Sequence, residues 1–413
     1  MAYRELTKLF YESKDTYIST YESRYNSPDT IKLNFRIKNN IAFFVQNAEA
    51  SGLVFKILQT DKRISILISM LPGVAIEQFI NRCLIDEIIL TNKIEGVYSS
   101  RREIVAILNE LEKTVEIQGK RKRFRGLVQQ YYKLIASEEI SFQSCEDIRR
   151  IYDELVLPEV IEENHRNAPD GRLFRKDSTS VNSVTDKEVH RGAYPESAII
   201  KEMEEALALL NDDSIFSLYR IMIFHYLFGY IHPFYDGNGR LGRFIVSAAL
   251  SREVHPLLAY RISYTIAENI KLYNNAFNVC NDPHNLGDVT PFLLMMLNII
   301  SSSALQLEDA LRKRYSKLLY YQQNIDKLPY GEVARTQNTY SLLIQAGLFS
   351  ENGISTKSLE SCMGNSYTTI KKELDFVDSH HLLKKNRAGR DNLYMLDLES
   401  FDKILLDLNG LIE

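Results

Sequence analysis

The sequence predicts an all-α protein with one small β-hairpin in its middle and a helix-turn-helix and hairpin module near its end. Three observations carry this prediction. Apolar residues recur every three to four positions along most of the chain, as in Ile76, Phe79, Ile80, Cys83, Leu84 and Ile88, which is the period of an amphipathic helix. Turn chemistry is concentrated at Pro72-Gly73, at residues 167–171 and at residues 326–331, so the helices are set apart by short breaks. Strand-like patterning is confined to 173–175 with 179–184, and to 382–385 with 393–396.

In chain order, residues 1 to about 70, with apolar stretches such as 41–45, read only as a mainly helical, packed-on segment. The helix from Ile76 carries a buried stripe towards Thr91 and Glu95, and Gly96 supplies its C-terminal cap. Helical patterning continues over 101–165. The basic run Lys120, Arg121, Lys122 and Arg123 within it reads as a solvated face. Residues 198–210 place Ile199, Met203, Ala206, Leu207 and Leu210 on one face, and 215–230 is apolar nearly all round, so this helix belongs at the centre. Helices follow over 240–251, 264–277 and from about 287 to 320. The expected domains are 1–105, with a helix over about 76–96, then 106–325 and 326–413.

Composition bounds the function. A chain of 413 residues, 45% hydrophobic and 25% charged, is ordinary for a soluble globular protein. Its net charge of −4 implies no global attraction to nucleic acid or membrane. Cys83, Cys145, Cys280 and Cys362 have no paired spacing, which argues against a metal knuckle or disulfide framework and for core residues in a reducing cytoplasm. The N-terminus lacks the apolar core of a signal peptide, and the most apolar run, 215–231, is broken by Arg220 and His225, so no membrane span is expected.

One stretch holds the chemistry: Ile231-His232-Pro233-Phe234-Tyr235-Asp236-Gly237-Asn238-Gly239-Arg240-Leu241-Gly242-Arg243. Gly237, Asn238 and Gly239 tolerate conformations that turn successive N–H groups towards one anion. The helix that follows adds the partial positive charge of its N-terminus. Arg240 and Arg243, three apart, lie on one face and offer planar donor forks to phosphate oxygens. His232 accepts a proton near pH 7, Asp236 supplies a hard oxygen suited to magnesium, and Phe234 reads as an anchor of the loop in the core.

His-Pro-Phe-x-Asp-Gly-Asn-Gly-Arg-x-x-Arg, matched from His232 to Arg243, resembles the active-site signature of the Fic (filamentation induced by cAMP) family. The resemblance implies a Fic-type helical core and transfer of a nucleotide monophosphate, usually AMP from ATP, to a hydroxyl side chain of a target protein. It assigns His232 as base, Asp236 to Mg2+, Gly237, Asn238 and Gly239 to the phosphates, and Arg240 and Arg243 to the β- and γ-phosphates. Tyr273 and Asn274 are adenine-pocket candidates by the same comparison. Thr91, Glu95 and Gly96 resemble the family's inhibitory motif, here ahead of the core; a carboxylate paired with Arg243 would occupy the arginine needed for the γ-phosphate. Residues 172–190 resemble the family's flap, on which the target's Ser, Thr or Tyr segment would dock by strand pairing.

The end of the chain resembles a winged helix, with Lys371 and Lys372 on the outer face of its second helix and Lys384, Lys385, Arg387 and Arg390 on the wing. DNA contact through 356–397 is one expected use, and such modules also serve as protein-docking or homodimer elements. Self-modification is another. The alternative functional readings are removal of AMP from a modified protein, transfer of another phosphate-linked group, and a nucleotide-sensing DNA-binding regulator.

Overall fold

A computed structural model describes residues 3–111, 123–136, 138–182, 188–388 and 391–410. Lys120, Arg121, Lys122, Val184 and Arg390 lie outside the described residues. The order begins with α1 (Leu6–Glu12), α2 (Lys14–Tyr25), β1 (Thr30–Ile37), β2 (Asn40–Val45), α3 (Ala48–Ser69), α4 (Gly73–Ile94) and α5 (Arg101–Leu111). Next come α6 (Arg125–Ile135), α7 (Cys145–Leu155), α8 (Leu157–Glu163), β3 (Ser180–Asn182), β4 (Glu188–Arg191), α9 (Glu196–Leu210), α10 (Ser217–Ile231) and α11 (Asn238–Leu250). Then follow α12 (Pro256–Ala259), α13 (Ile262–Glu268), α14 (Ile270–Asn281), α15 (Thr290–Gln322) and α16 (Ala334–Phe349). The chain closes with β5 (Ile354–Ser355), α17 (Thr356–Met363), α18 (Tyr367–Ser379), β6 (Leu383–Ala388), β7 (Asp391–Leu396) and α19 (Leu398–Gly410). Among the described residues the fold is helical with three small antiparallel sheets.

The chain divides into two compact units built from non-consecutive stretches: Met1–Asp61, Asp86–Ser99 and Glu110–Leu305 in one, Lys62–Ile85, Ser100–Asn109 and Gln306–Glu413 in the other. In the first, α10 is the central helix. Residues from Leu218 to Phe228 along it are buried except Arg220, as its nearly all-round apolarity requires. Every residue of α11 from Arg240 to Leu250 is buried too. Gly242 lets the two helices approach, since a Cβ there would stand 3.0 Å from Phe228.

Four local expectations are corrected. Residues 41–45 are strand β2, whose run of buried Ala42, Phe43 and Phe44 has no period to distinguish it from a helix; Phe43 docks by main-chain bonds to Gly287 and Val289. Residues 173–175 bend and form no strand, because the N–H groups of Arg172, Leu173 and Phe174 all donate to the Glu196 carboxylate, at 3.1, 2.8 and 3.0 Å, and so are unavailable to a strand ladder. The helix expected over 264–277 is two helices broken at Asn269, whose side-chain amide donates to the Thr265 carbonyl. Cys83, Cys145 and Cys280 are buried, but Cys362 is exposed. By length and composition α15 could cross a membrane, and 67% of that apolar stretch is buried inside the protein, as in a core helix.

In the second unit, Ser355 caps α17 by accepting the Ser358 N–H at 3.0 Å, and Gly364 ends the helix at φ +63°. Ser366 stands at the N-cap of α18, but its hydroxyl meets the hydroxyls of Thr368 and Thr369 and does not bond the backbone. Strand β7 lies between β5 and β6. Lys371 and Lys372 are exposed; Lys384 pairs with Asp397 at 2.9 Å and Lys385 with Asp378 at 2.6 Å.

Candidate active site

His232 terminates α10. It adopts the left-handed conformation, φ 51° and ψ 63°, which lets the chain turn sharply into the loop, and its N–H closes the helix on the Phe228 carbonyl at 3.0 Å. The side chain keeps partial solvent access but is ringed by protein. Burial, then the positive charge of Arg175 and the nearby His190, hold its imidazole down at about 4, so it is neutral and proton-accepting at pH 7.

The loop after it is fastened from within. Phe234 is fully buried, stacked on Tyr152 with ring centres 3.6 Å apart and edge-on to Phe174. Asn238 clasps the same residue reciprocally, accepting from the Phe234 N–H at 2.9 Å and donating to its carbonyl at 2.8 Å. Gly237 caps α11 at φ +79°, a conformation that strains any other residue, and among the described residues no side chain is seen to bond the first-turn N–H groups of Asn238, Gly239 and Arg240. These donors and the helix dipole make the N-terminus an anion site. Asp236 bonds the Gly237 N–H through Oδ1 and is partly exposed. Among the described residues no three His, Cys, Asp or Glu side chains cluster as metal ligands. One accessible carboxylate beside a phosphate cradle fits magnesium, which keeps several waters and is commonly held by one or two carboxylates together with substrate phosphates.

Residues 91 and 95 come to this cradle from α4. The Arg243 fork is fully engaged by them: Nε donates to Thr91 Oγ1, Nη2 to the Thr91 carbonyl, and Nη1 meets Glu95 Oε1, each at 2.9 Å. Burial opposes the charge on Arg243, but Glu95 together with Tyr273 and Tyr131 outweighs it, so its pKa is raised. The Glu95 carboxylate lies against the first turn of α11; a Cβ on Gly239 would stand 2.0 Å from its Oε1. Gly96 follows at φ +73° and ends the helix. Two turns upstream, buried Glu87 anchors the same helix by accepting the Ser263 N–H, at 3.0 and 2.8 Å to its two oxygens, and the Ser263 hydroxyl at 2.6 Å. Burial raises its pKa. The spacing Glu87, Thr91, Glu95 was readable as one helix face; the partner of Glu87 was not.

The second motif arginine has a different partner. Arg240 is paired with Glu159 of α8 at 2.9 Å, both buried, and burial pushes the Glu159 carboxyl up to about 7 against the pull of Arg240. Nothing near Glu159 in sequence marks it. Tyr273 is buried, bonded through its hydroxyl to His225 at 2.9 Å and packed on Phe277, while Asn274 is exposed. His225 is held down at about 3 by burial and by Arg243, and is neutral. On the flap, β3 pairs with β4, and His190 bonds the Tyr230 carbonyl at 2.6 Å.

Residues 142–250 match the Fic/DOC family. The chain is 27% identical over 161 residues to "Protein adenylyltransferase fic-1" of Caenorhabditis elegans, covering 37% of this chain and 29% of that protein, and 26% identical over 160 residues to its Caenorhabditis briggsae counterpart. It thus spans under a third of the length of these curated relatives. A solved Fic family protein from Desulfovibrio desulfuricans G20 is similar at 21% identity and a TM-score of 0.48, over 85% of this chain and 96% of that one. With its signature loop lying inside the matched residues, this chain is a Fic domain protein.

Proposed function

We propose that this site transfers AMP from ATP to a hydroxyl side chain of a protein, and that Glu95 restrains the transfer. The observation that carries the reading is the juxtaposition at α11: a neutral His232 before the cradle, and Glu95 seated in the cradle on Arg243. The name of the nematode relatives, protein adenylyltransferase, supports AMP as the transferred group.

In this mechanism His232 accepts the proton of the acceptor hydroxyl as its oxygen attacks the α-phosphorus and pyrophosphate leaves. The first-turn N–H groups of α11 and the side chain of Arg243 stabilise the phosphate charge, with Arg240 beside them. Asp236 would hold magnesium, which when bound neutralises charge on the leaving phosphates. The acceptor segment docks along the β3–β4 hairpin. While Glu95 holds Arg243, the γ-phosphate meets a carboxylate where it needs a guanidinium.

Incorporation of label from α-labelled ATP, with magnesium, into the protein and a cell lysate tests this. Glu95→Gly is expected to raise labelling at least about tenfold, since the repulsive carboxylate and the occupied fork are both removed. Adding His232→Ala should abolish it. Absence of labelling in wild type and both variants, with ATP binding intact, overturns the proposal.

A further inference from the structure

Arg175 is fully buried and, among the described residues, pairs with no carboxylate. Its guanidinium is spent on carbonyl oxygens. Nε donates to the His232 carbonyl at 3.0 Å, Nη1 to Asp177 at 2.6 Å and Nη2 to Ala193 at 2.7 Å, with a longer approach to Ile231 at 3.5 Å. Asp177 and Ala193 lie on either side of the β3–β4 hairpin, so one planar group joins both ends of the flap to the start of the catalytic loop. Main-chain bonds reinforce the junction: the Arg175 N–H donates to Pro233 and the Ala193 N–H to Ile231.

Burying a cation without a counter-charge is costly, and a neutral side chain would satisfy fewer carbonyls at no such cost. His232 gives the arrangement its use. A non-glycine residue at φ 51° is strained and persists only where its surroundings fix it. Here the His232 N–H is held by Phe228 and its carbonyl by Arg175, so both flanking peptides are pinned.

We propose that Arg175 is a positioning residue for His232, its rigid donor fork locking the base's strained backbone and tying it to the flap that presents the acceptor. The inference rests on His232 being the base of the proposed transfer. Arg175 also faces the imidazole electrostatically, second only to burial in keeping it neutral.

The test compares Arg175→Lys and Arg175→Gln, each in the Glu95→Gly protein, with that parent. Transfer kinetics across pH are read beside ATP affinity by calorimetry and the His232 ring titration by NMR. Loss of the fork should lower kcat about 10- to 100-fold with ATP affinity within about twofold, the cost of a base misplaced by an ångström or less. Arg175→Gln should move the His232 titration and the acid limb of the rate profile upward; Arg175→Lys, which keeps the charge but not the fork, should move them less while still losing rate. Gly192→Ala disturbs the same junction without removing charge, since its Cβ would stand 2.5 Å from Arg175 Nη2 and 2.9 Å from His232 Cβ, and it should lower kcat with the titration unmoved. A kcat within about twofold of the parent in Arg175→Gln or Gly192→Ala overturns the proposal, as does a loss that follows ATP affinity alone. A parent that transfers nothing overturns the transferase reading instead, and the NMR titration still tests the link between Arg175 and His232.

Discussion

The two arginines of the motif stand one helical turn apart, yet each meets a different kind of carboxylate. Glu95 reaches Arg243 from the end of α4, and 29% of its side chain remains exposed. Glu159 reaches Arg240 from α8 with 8% exposed. An accessible carboxylate can be displaced by a competing anion, because water receives it when it leaves. A buried one cannot, because leaving would strand two desolvated charges. On the proposed reading, the same chemical pair serves as a removable restraint on one side of the cradle and as fixed scaffolding on the other.

Removing the partners one at a time can break this contrast. Glu159→Ala is expected to destabilise the protein by about 3–5 kcal/mol by leaving Arg240 uncompensated, whereas Glu95→Gly should cost less, since Thr91 still accepts two donors of the buried Arg243. Chemical denaturation of the two variants side by side checks this, and equal losses would dissolve the distinction. On activity the order reverses. In the Glu95→Gly protein, Arg243→Ala should cost about 100- to 1,000-fold in transfer, the loss typical of one preorganised donor to a charged transition state, measurable as initial rates of AMP incorporation.

The buried pair also carries a pH signature. Burial raises the Glu159 carboxyl to about 7 in the fold, above its value near 4.3 in an unfolded chain. The folded state therefore binds the extra proton between these values, and stability falls as pH rises from about 4.5 to about 7. Glu159→Gln removes that slope, so the variant should gain roughly 1–3 kcal/mol on wild type between pH 5 and pH 8. Parallel stability curves would show instead that the pair stays ionised throughout. The smallest expected effect is at Tyr273, where Phe removes the hydroxyl bonded to His225 at a cost of about 1 kcal/mol. ATP affinity in Tyr273→Phe sharpens its role: a change within about twofold marks a packing residue, and a larger one a wall of the nucleotide pocket.

The motif residues were legible because they are consecutive. Their φ requirements, helix start and arginine spacing follow from local rules, and Thr91 with Glu95 follows from one helical turn. What was not legible came in two kinds. Local periodicity misread 41–45 and 173–175, where a buried strand shows no alternation and a distant carboxylate, Glu196, captures the backbone donors. Partnerships across long separations, Glu159 with Arg240 and Arg175 with the His232 carbonyl, leave no mark in sequence at all. A charged residue in a polar stretch reads as solvated until packing removes its water.

The sequence by itself determined a helical protein in which His232, Asp236 and a glycine-led helix start fall in one loop, because backbone preference and helical spacing act between near neighbours. Tertiary structure decided which charges are engaged. Burial and pairing depend on segments 57, 81 and 152 residues apart meeting in space, and it is that meeting that makes His232 neutral, fixes Arg240 and closes Glu95 over Arg243.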